Sequence, residues 1–143
     1  MELTTFSMVL RFTLQLEDRT AQFYRNLAAD SKLTQGKELF ARFVENSDKR
    51  KKELERTARE SVDHSLLEPV SGIFEETYSG YTPDSSGTAV ADAVTSAKKL
   101  EEEMQKFYTE AGDKIKFVSN VSRLYRRYAQ DRAKALVALQ ALA

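Results

Sequence analysis

Four stretches of this chain place their apolar and small residues three and four positions apart, and none contains glycine or proline. The first, about residues 4–29, aligns Phe6, Leu10, Glu17, Thr20, Tyr24 and Leu27 on one stripe. The second, about 37–62, aligns Phe40, Phe43, Ser47, Arg50, Leu54 and Ala58. The third, about 88–111, aligns Val90, Val94, Ala97, Glu101, Met104, Tyr108 and Ala111. The fourth, about 113–142, aligns Tyr125, Tyr128, Arg132, Ala135 and Leu139. This periodicity predicts four amphipathic helices that pack at shallow crossing angles. Each stripe also carries a charged or polar residue at mid-length, which a purely structural core does not need.

The helix breakers fall between these stretches. Pro69, Pro83, Gly72, Gly80 and Gly87 crowd residues 61–88, while Gly36 and Gly112 punctuate two short connections. Short connections predict antiparallel neighbours, so the first two helices form one hairpin (about 4–62) and the last two another (about 88–142). The crossover between them, about 63–87, is long enough to run the length of a bundle and make the second and third helices parallel. Leu66, Leu67, Val70, Ile73 and Phe74 make this crossover apolar enough to pack on the bundle, with room for a short helix of its own. Residues 78–87 read as exposed turns. Ser31 or Thr34 is the expected N-cap of the second helix, and Ser86 or Thr88 that of the third. The expected architecture is all-α, one domain over residues 1–143.

The two hairpins repeat one another. Leu16-Glu17 and Phe23-Tyr24 recur 84 residues later as Leu100-Glu101 and Phe107-Tyr108. Leu39-Phe40-Ala41-Arg42-Phe43-Val44 recurs 85 residues later as Leu124-Tyr125-Arg126-Arg127-Tyr128-Ala129. Two matches at nearly one offset indicate a duplicated two-helix unit.

Composition narrows the chemistry. Twenty-two basic residues balance twenty-two acidic ones, so no global field draws nucleic acid or an anionic membrane. Cysteine is absent, which removes disulfides, thiolate metal sites and cysteine nucleophiles. The start of the chain interrupts its apolar residues with Glu2 and Arg11, and no run approaches the ~20 apolar residues of a spanning helix. A cytoplasmic protein is the expectation.

The run from Leu16-Glu17 through Phe23-Tyr24, followed by Glu38-Leu39-Phe40 and Phe43-Val44-Glu45, resembles the first helix pair of rubrerythrin, in the ferritin-like superfamily. The second pair repeats it less closely, and the resemblance spans all four helices but not the crossover. It implies a di-iron centre among the helices, with one glutamate from each of the first and third and a Glu-x-x-His pair from each of the second and fourth. The single glutamates fall on Glu17 and Glu101. The two pairs fall on Ser47 with Arg50 and on Arg132 with Ala135, none of which supplies the implied ligand.

Charge decides what the altered ring holds. Arginine stays protonated and cannot ligate iron. At 4 Å and an effective dielectric of about 20, a guanidinium repels each unit of a cation's charge by about 4 kcal/mol. Arg50 and Arg132 therefore take over as counter-charges to Glu17 and Glu101, in an interior ion-pair cluster. The sequence leaves open which arginine meets which glutamate. Arg50 also lies in Lys49-Arg50-Lys51-Lys52, and a one-position shift turns that run outward as a solvated face. Tyr24 and Tyr108 follow the two glutamates by seven residues on the same stripes, so their hydroxyls are placed to support them or simply to cap core rings.

The remaining signals are weak. The basic run at 49–52 is flanked by Glu45, Asp48, Glu53 and Glu55, which disfavours a nucleic-acid face. His64 has no companion histidine. Three functional readings follow. One is a ferritin-like protein that has lost its di-iron site and works as a structural or partner-binding module, without cofactor and as a homodimer, Phe12 and Phe117 marking faces to test. The second is an iron-binding oxidoreductase with an atypical site of Glu17 and Glu101 joined by Glu45, Asp48 or Asp131. The third is a bundle holding a small apolar ligand.

Overall fold

A computed structural model describes residues 1–30, 33–60, 67–79 and 90–142. Among these the chain is helical, with no strand: α1 (Phe6–Ala29), α2 (Lys37–Glu60), α3 (Glu75–Ser79), α4 (Val90–Lys114) and α5 (Ser119–Leu142). The four long helices have 24 or 25 residues, about 36 Å each at 1.5 Å per residue. No described helix is long and apolar enough to cross a membrane.

Each long helix buries most of the stripe that its periodicity defines; on α4 only Val90, at its start, is half-buried. On α2 the buried set is Phe40, Phe43, Ser47, Arg50, Leu54 and Ala58. On α1 Leu10 is only half-buried, and Thr13 joins the interior. On α5 Ala135 is half-buried and the other four stripe residues are buried. The core between the helices is aromatic. The Tyr24 ring stacks on Phe40 and meets Phe43 edge-on at 4.9 Å. Phe107 gathers Phe12, Tyr78, Tyr108 and Tyr125 within 6.2 Å, a range in which edge-to-face quadrupoles attract.

The most extensive packing is of α1 on α2 and of α4 on α5; α2 meets α5 and α1 meets α4 less extensively. Ion pairs join Glu17 to Arg50, Asp18 to Lys51 and Arg25 to Asp48 along the first contact; from Asp18 to Arg25, about two turns later on α1, the partner moves back along α2. Along the second, Glu101 meets Arg132, Tyr108 meets Tyr125, and Ser122 bonds Gly112.

Several local expectations change. Thr34 does not cap α2; it opens a 3-10 turn, Thr34–Gly36, that leads into α2 at Lys37. The actual side-chain cap is on α1, where extended Thr5 accepts from the Met8 amide at 3.2 Å. Gly112 does not separate two helices but lies in the last turn of α4. A Cβ there would stand 3.3 Å from the Tyr125 Cβ, so glycine lets α5 come close. The Ser122 hydroxyl then reaches the Gly112 carbonyl at 2.8 Å. Ser31, Ser86, Thr88, His64 and Leu66 lie outside the described residues.

In the crossover, Val70 and Ile73 are buried as expected of a packed connection, but Leu67 and Phe74 are exposed. The reason is a backbone pairing that fixes which side faces inward. The Leu3 amide donates to the Ile73 carbonyl at 2.8 Å, and the Val70 amide to the Thr4 carbonyl at 2.9 Å. Isolated bridges join Glu2 to Phe74 and Thr5 to Pro69. Ile73 and its neighbour Phe74 then fall on opposite sides, as in extended chain. Gly72 turns the segment at φ 85°, a region that side chains disfavour, and its amide donates to Glu2 at 3.0 Å. Tyr78 is not an exposed turn residue. It lies in α3, buried against Phe107, and its hydroxyl donates to Glu110 at 2.7 Å.

Candidate functional site

Midway along the helices, where a core of this size would ordinarily be apolar, two carboxylates and two guanidiniums meet. Glu17 from α1 and Glu101 from α4 are 0% and 1% exposed; Arg132 from α5 is 1% exposed and Arg50 from α2 8%. Charges so buried persist only when paired and hydrogen-bonded.

Arg132 bridges both acids. Its Nη1 donates to the two oxygens of Glu101 at 2.9 and 3.1 Å, and its Nη2 to the two oxygens of Glu17 at 2.8 Å each. Arg50 reaches only Glu17, through Nε at 3.1 Å, and steadies its Nη2 on the Ser47 hydroxyl at 3.2 Å. Ser47 and Ala135 are the small members of the two altered pairs. Ser47 is buried inside the cluster, whereas Ala135 borders it without a polar contact.

The tyrosines complete the shell by crossing over. Tyr24 of α1 donates to Glu101 of α4 at 2.7 Å, and Tyr108 of α4 donates to Glu17 of α1. Each tyrosine therefore serves the glutamate of the opposite half, not the one seven residues before it on its own helix. Spacing along a helix reveals shared faces but not which facing residue a phenol reaches.

Burial alone pushes the Glu17 carboxyl upward, but Arg132 and then Arg50 outweigh it and hold it at about 2, against an ordinary 4.5. Burial and the neighbouring Glu101 push the Tyr24 phenol well above its ordinary range. Burial and Glu17 do the same to Tyr108. Burial favours losing the Arg132 proton, yet Glu101 and Glu17 prevail and its affinity for the proton rises. Glu17 is thus held as a carboxylate, Arg132 as a guanidinium, and Tyr24 and Tyr108 as neutral phenols across the physiological range. None of these four is poised near neutrality to exchange a proton in general acid–base catalysis.

Two features were not evident from the motif. Thr13 and Tyr125 hydroxyls are hydrogen-bonded at 2.5 Å beside the cluster. Tyr128 extends the network outward, donating to Glu53 at 2.8 Å, and Glu53 also meets Arg127. The Tyr128 stripe position signals burial, but nothing in its spacing names Glu53.

The further acids of the alternative iron site have surroundings of their own. Glu45 is exposed, Asp48 pairs with Arg25 at 3.4 Å, and the Asp131 carboxylate lies 4.0 Å from Arg50 Nη1. Among the described residues no group of three or more histidine, aspartate or glutamate side chains is arranged to hold a metal ion. Phe12 is buried, 2% exposed against Phe107, and so offers no outer face; Phe117 is 44% exposed beside Phe6.

One atom is left over. Arg132 Nε is buried with no hydrogen-bond partner among the described residues, an omission that typically costs about 1–3 kcal/mol. Beside it a cleft of about 360 Å³ opens between α2 and α5, bordered by Phe43, Arg50, Tyr128, Arg132 and Ala135.

Compared with models of known protein families, with curated proteins and with solved structures, the chain matches none.

Proposed function

We propose that this chain is a rubrerythrin-like member of the ferritin-like superfamily, a four-helix bundle of two duplicated hairpins joined by a crossover. In this reading the ion-pair cluster stands where relatives hold a di-iron centre. The protein then serves as a non-catalytic structural or partner-binding module, cytoplasmic and paired with a second copy of itself. The opposing order of contacts along α1/α2 and α4/α5 supports the hairpins, and the duplicated Glu-to-Tyr spacing supports the family.

The observation that carries the loss of function is the Arg132 guanidinium between Glu17 and Glu101, donating to both oxygens of each. The donor set does not fit a di-iron centre. Both carboxylates are already engaged by charge-assisted bonds, no imidazole accompanies them among the described residues, and a cation placed there would meet two fixed positive charges. No step of iron chemistry follows from these residues.

The test is elemental analysis of protein purified from iron-supplemented cells. Substoichiometric iron and manganese are expected; one or more tightly bound ions per chain would overturn the proposal. Light scattering on the same sample is expected to give twice the chain mass, and a monomer would remove the pairing.

A further inference from the structure

The cleft between α2 and α5 has a chemistry the ion-pair cluster does not exhaust. Its wall includes Arg132, engaged by the two glutamates, and Arg50, whose Nη1 has its nearest acid, Asp131, at 4.0 Å and so has capacity to spare. Lys49 and Lys134 stand at its mouth, exposed and without an ion pair among the described residues. Five cationic side chains border the cleft against three anionic ones. Of those three, Glu101 is engaged by Arg132 and Glu53 by Arg127 and Tyr128. The cleft therefore presents more positive than negative charge along its walls.

Away from the arginines the wall turns apolar. Leu39 and Phe43 lie earlier on α2, and Ala138 lies later on α5. Phe43 precedes Arg50 by seven residues and Ala138 follows Arg132 by six, about 10 Å along each helix. The volume, about 360 Å³, falls at the lower end for small-molecule sites.

We propose that this cleft binds a small amphipathic monoanion, a carboxylate with an unbranched or flat apolar body about 10 Å long. A carboxylate oxygen accepts a charge-assisted bond from the spare Nη1 of Arg50. Lys49 and Lys134 draw the anion in, and the tail lies along Phe43, Leu39 and Ala138. The proposal does not rest on the family assignment. Bound iron would defeat that assignment while leaving the cleft's ligand open to its own test.

The probe is octanoate, titrated into the full chain by calorimetry. Octylamine carries the same tail with the opposite charge, and inorganic phosphate supplies an anion without a tail. Saturable binding of one octanoate per chain is expected, with octylamine and phosphate at least tenfold weaker. Lys49→Glu combined with Lys134→Glu changes only exposed positions and should weaken octanoate at least tenfold. Ala135→Phe, which fills the cleft, should abolish binding. The proposal is overturned if octanoate does not saturate, if octylamine or phosphate binds as tightly, or if the double lysine variant binds octanoate unchanged.

Discussion

The two halves of the chain present the same glutamate and the same tyrosine to the interior but provide for them differently. The tyrosines are reciprocal, each crossing to the other half's acid. The cations are not. Glu17 meets two guanidiniums, Glu101 only one, and that one is shared. The 85-residue offset explains why. It aligns Ser47 with Arg132 and Arg50 with Ala135, so each half keeps one arginine at a different member of its pair. The two small partners differ as well: Ser47 accepts from Arg50 of its own helix, while Ala135 lines the cleft.

The sharpest way to break this comparison is to remove the shared cation. Arg132→Gln leaves Glu101 buried without a counter-charge, and losing one partner of a buried pair costs roughly 3–5 kcal/mol. Thermal melting should fall by about 10 °C or more. Arg50→Gln should cost distinctly less, about 1.5–3 kcal/mol for one charge-assisted bond, because Glu17 keeps Arg132. Equal losses would show that the two arginines are interchangeable after all.

Acid should expose the same inequality. Glu17 is held at about 2 in the fold against an ordinary 4.5. Its contribution is therefore present above about 4.5 and lost as pH falls towards 2. The difference amounts to roughly 3 kcal/mol. Chemical denaturation at stepped pH should show stability dropping through that window, and Glu17→Gln should flatten that part of the curve.

The tyrosines should show the symmetry that the cations lack. Tyr24→Phe and Tyr108→Phe each remove one bond to a buried carboxylate, about 1.5–3 kcal/mol, and their losses should agree within about 0.5 kcal/mol. A clear inequality in urea midpoints would mean that the reciprocity is only geometric. The smallest effect belongs to the surface. Lys51→Ala breaks the pair with Asp18, which is 64% exposed, and should change stability by less than about 1 kcal/mol.

How much of this was readable beforehand depends on the range over which each residue acts. The helices and their buried stripes follow from three-four spacing, which is local, and α2 matches its stripe residue for residue. The positions singled out for the cluster came from the family resemblance laid on those stripes, and Glu17, Ser47, Arg50, Glu101 and Arg132 are buried there while Ala135 only borders them. The partners did not come from it. That Arg132 spans both acids, and that the tyrosines cross over, depends on the separation of helices that no intrahelical pattern encodes. The pairing of residues 1–5 with 69–75 escaped for the same reason. Its hydrogen bonds are between backbone groups, which leave no trace in side-chain periodicity. Gly112 misled because glycine marks both a break in a helix and a close approach between two.

The five described tyrosines have one more consequence. The chain contains no tryptophan, so its ultraviolet emission comes from phenols alone. Four of the five described ones donate to a carboxylate: Tyr24, Tyr78, Tyr108 and Tyr128. An excited phenol readily passes its proton to such an acceptor and goes dark. The folded protein should therefore be dim and brighten as it opens, so that its intrinsic light reads out the centre of the molecule without any introduced label.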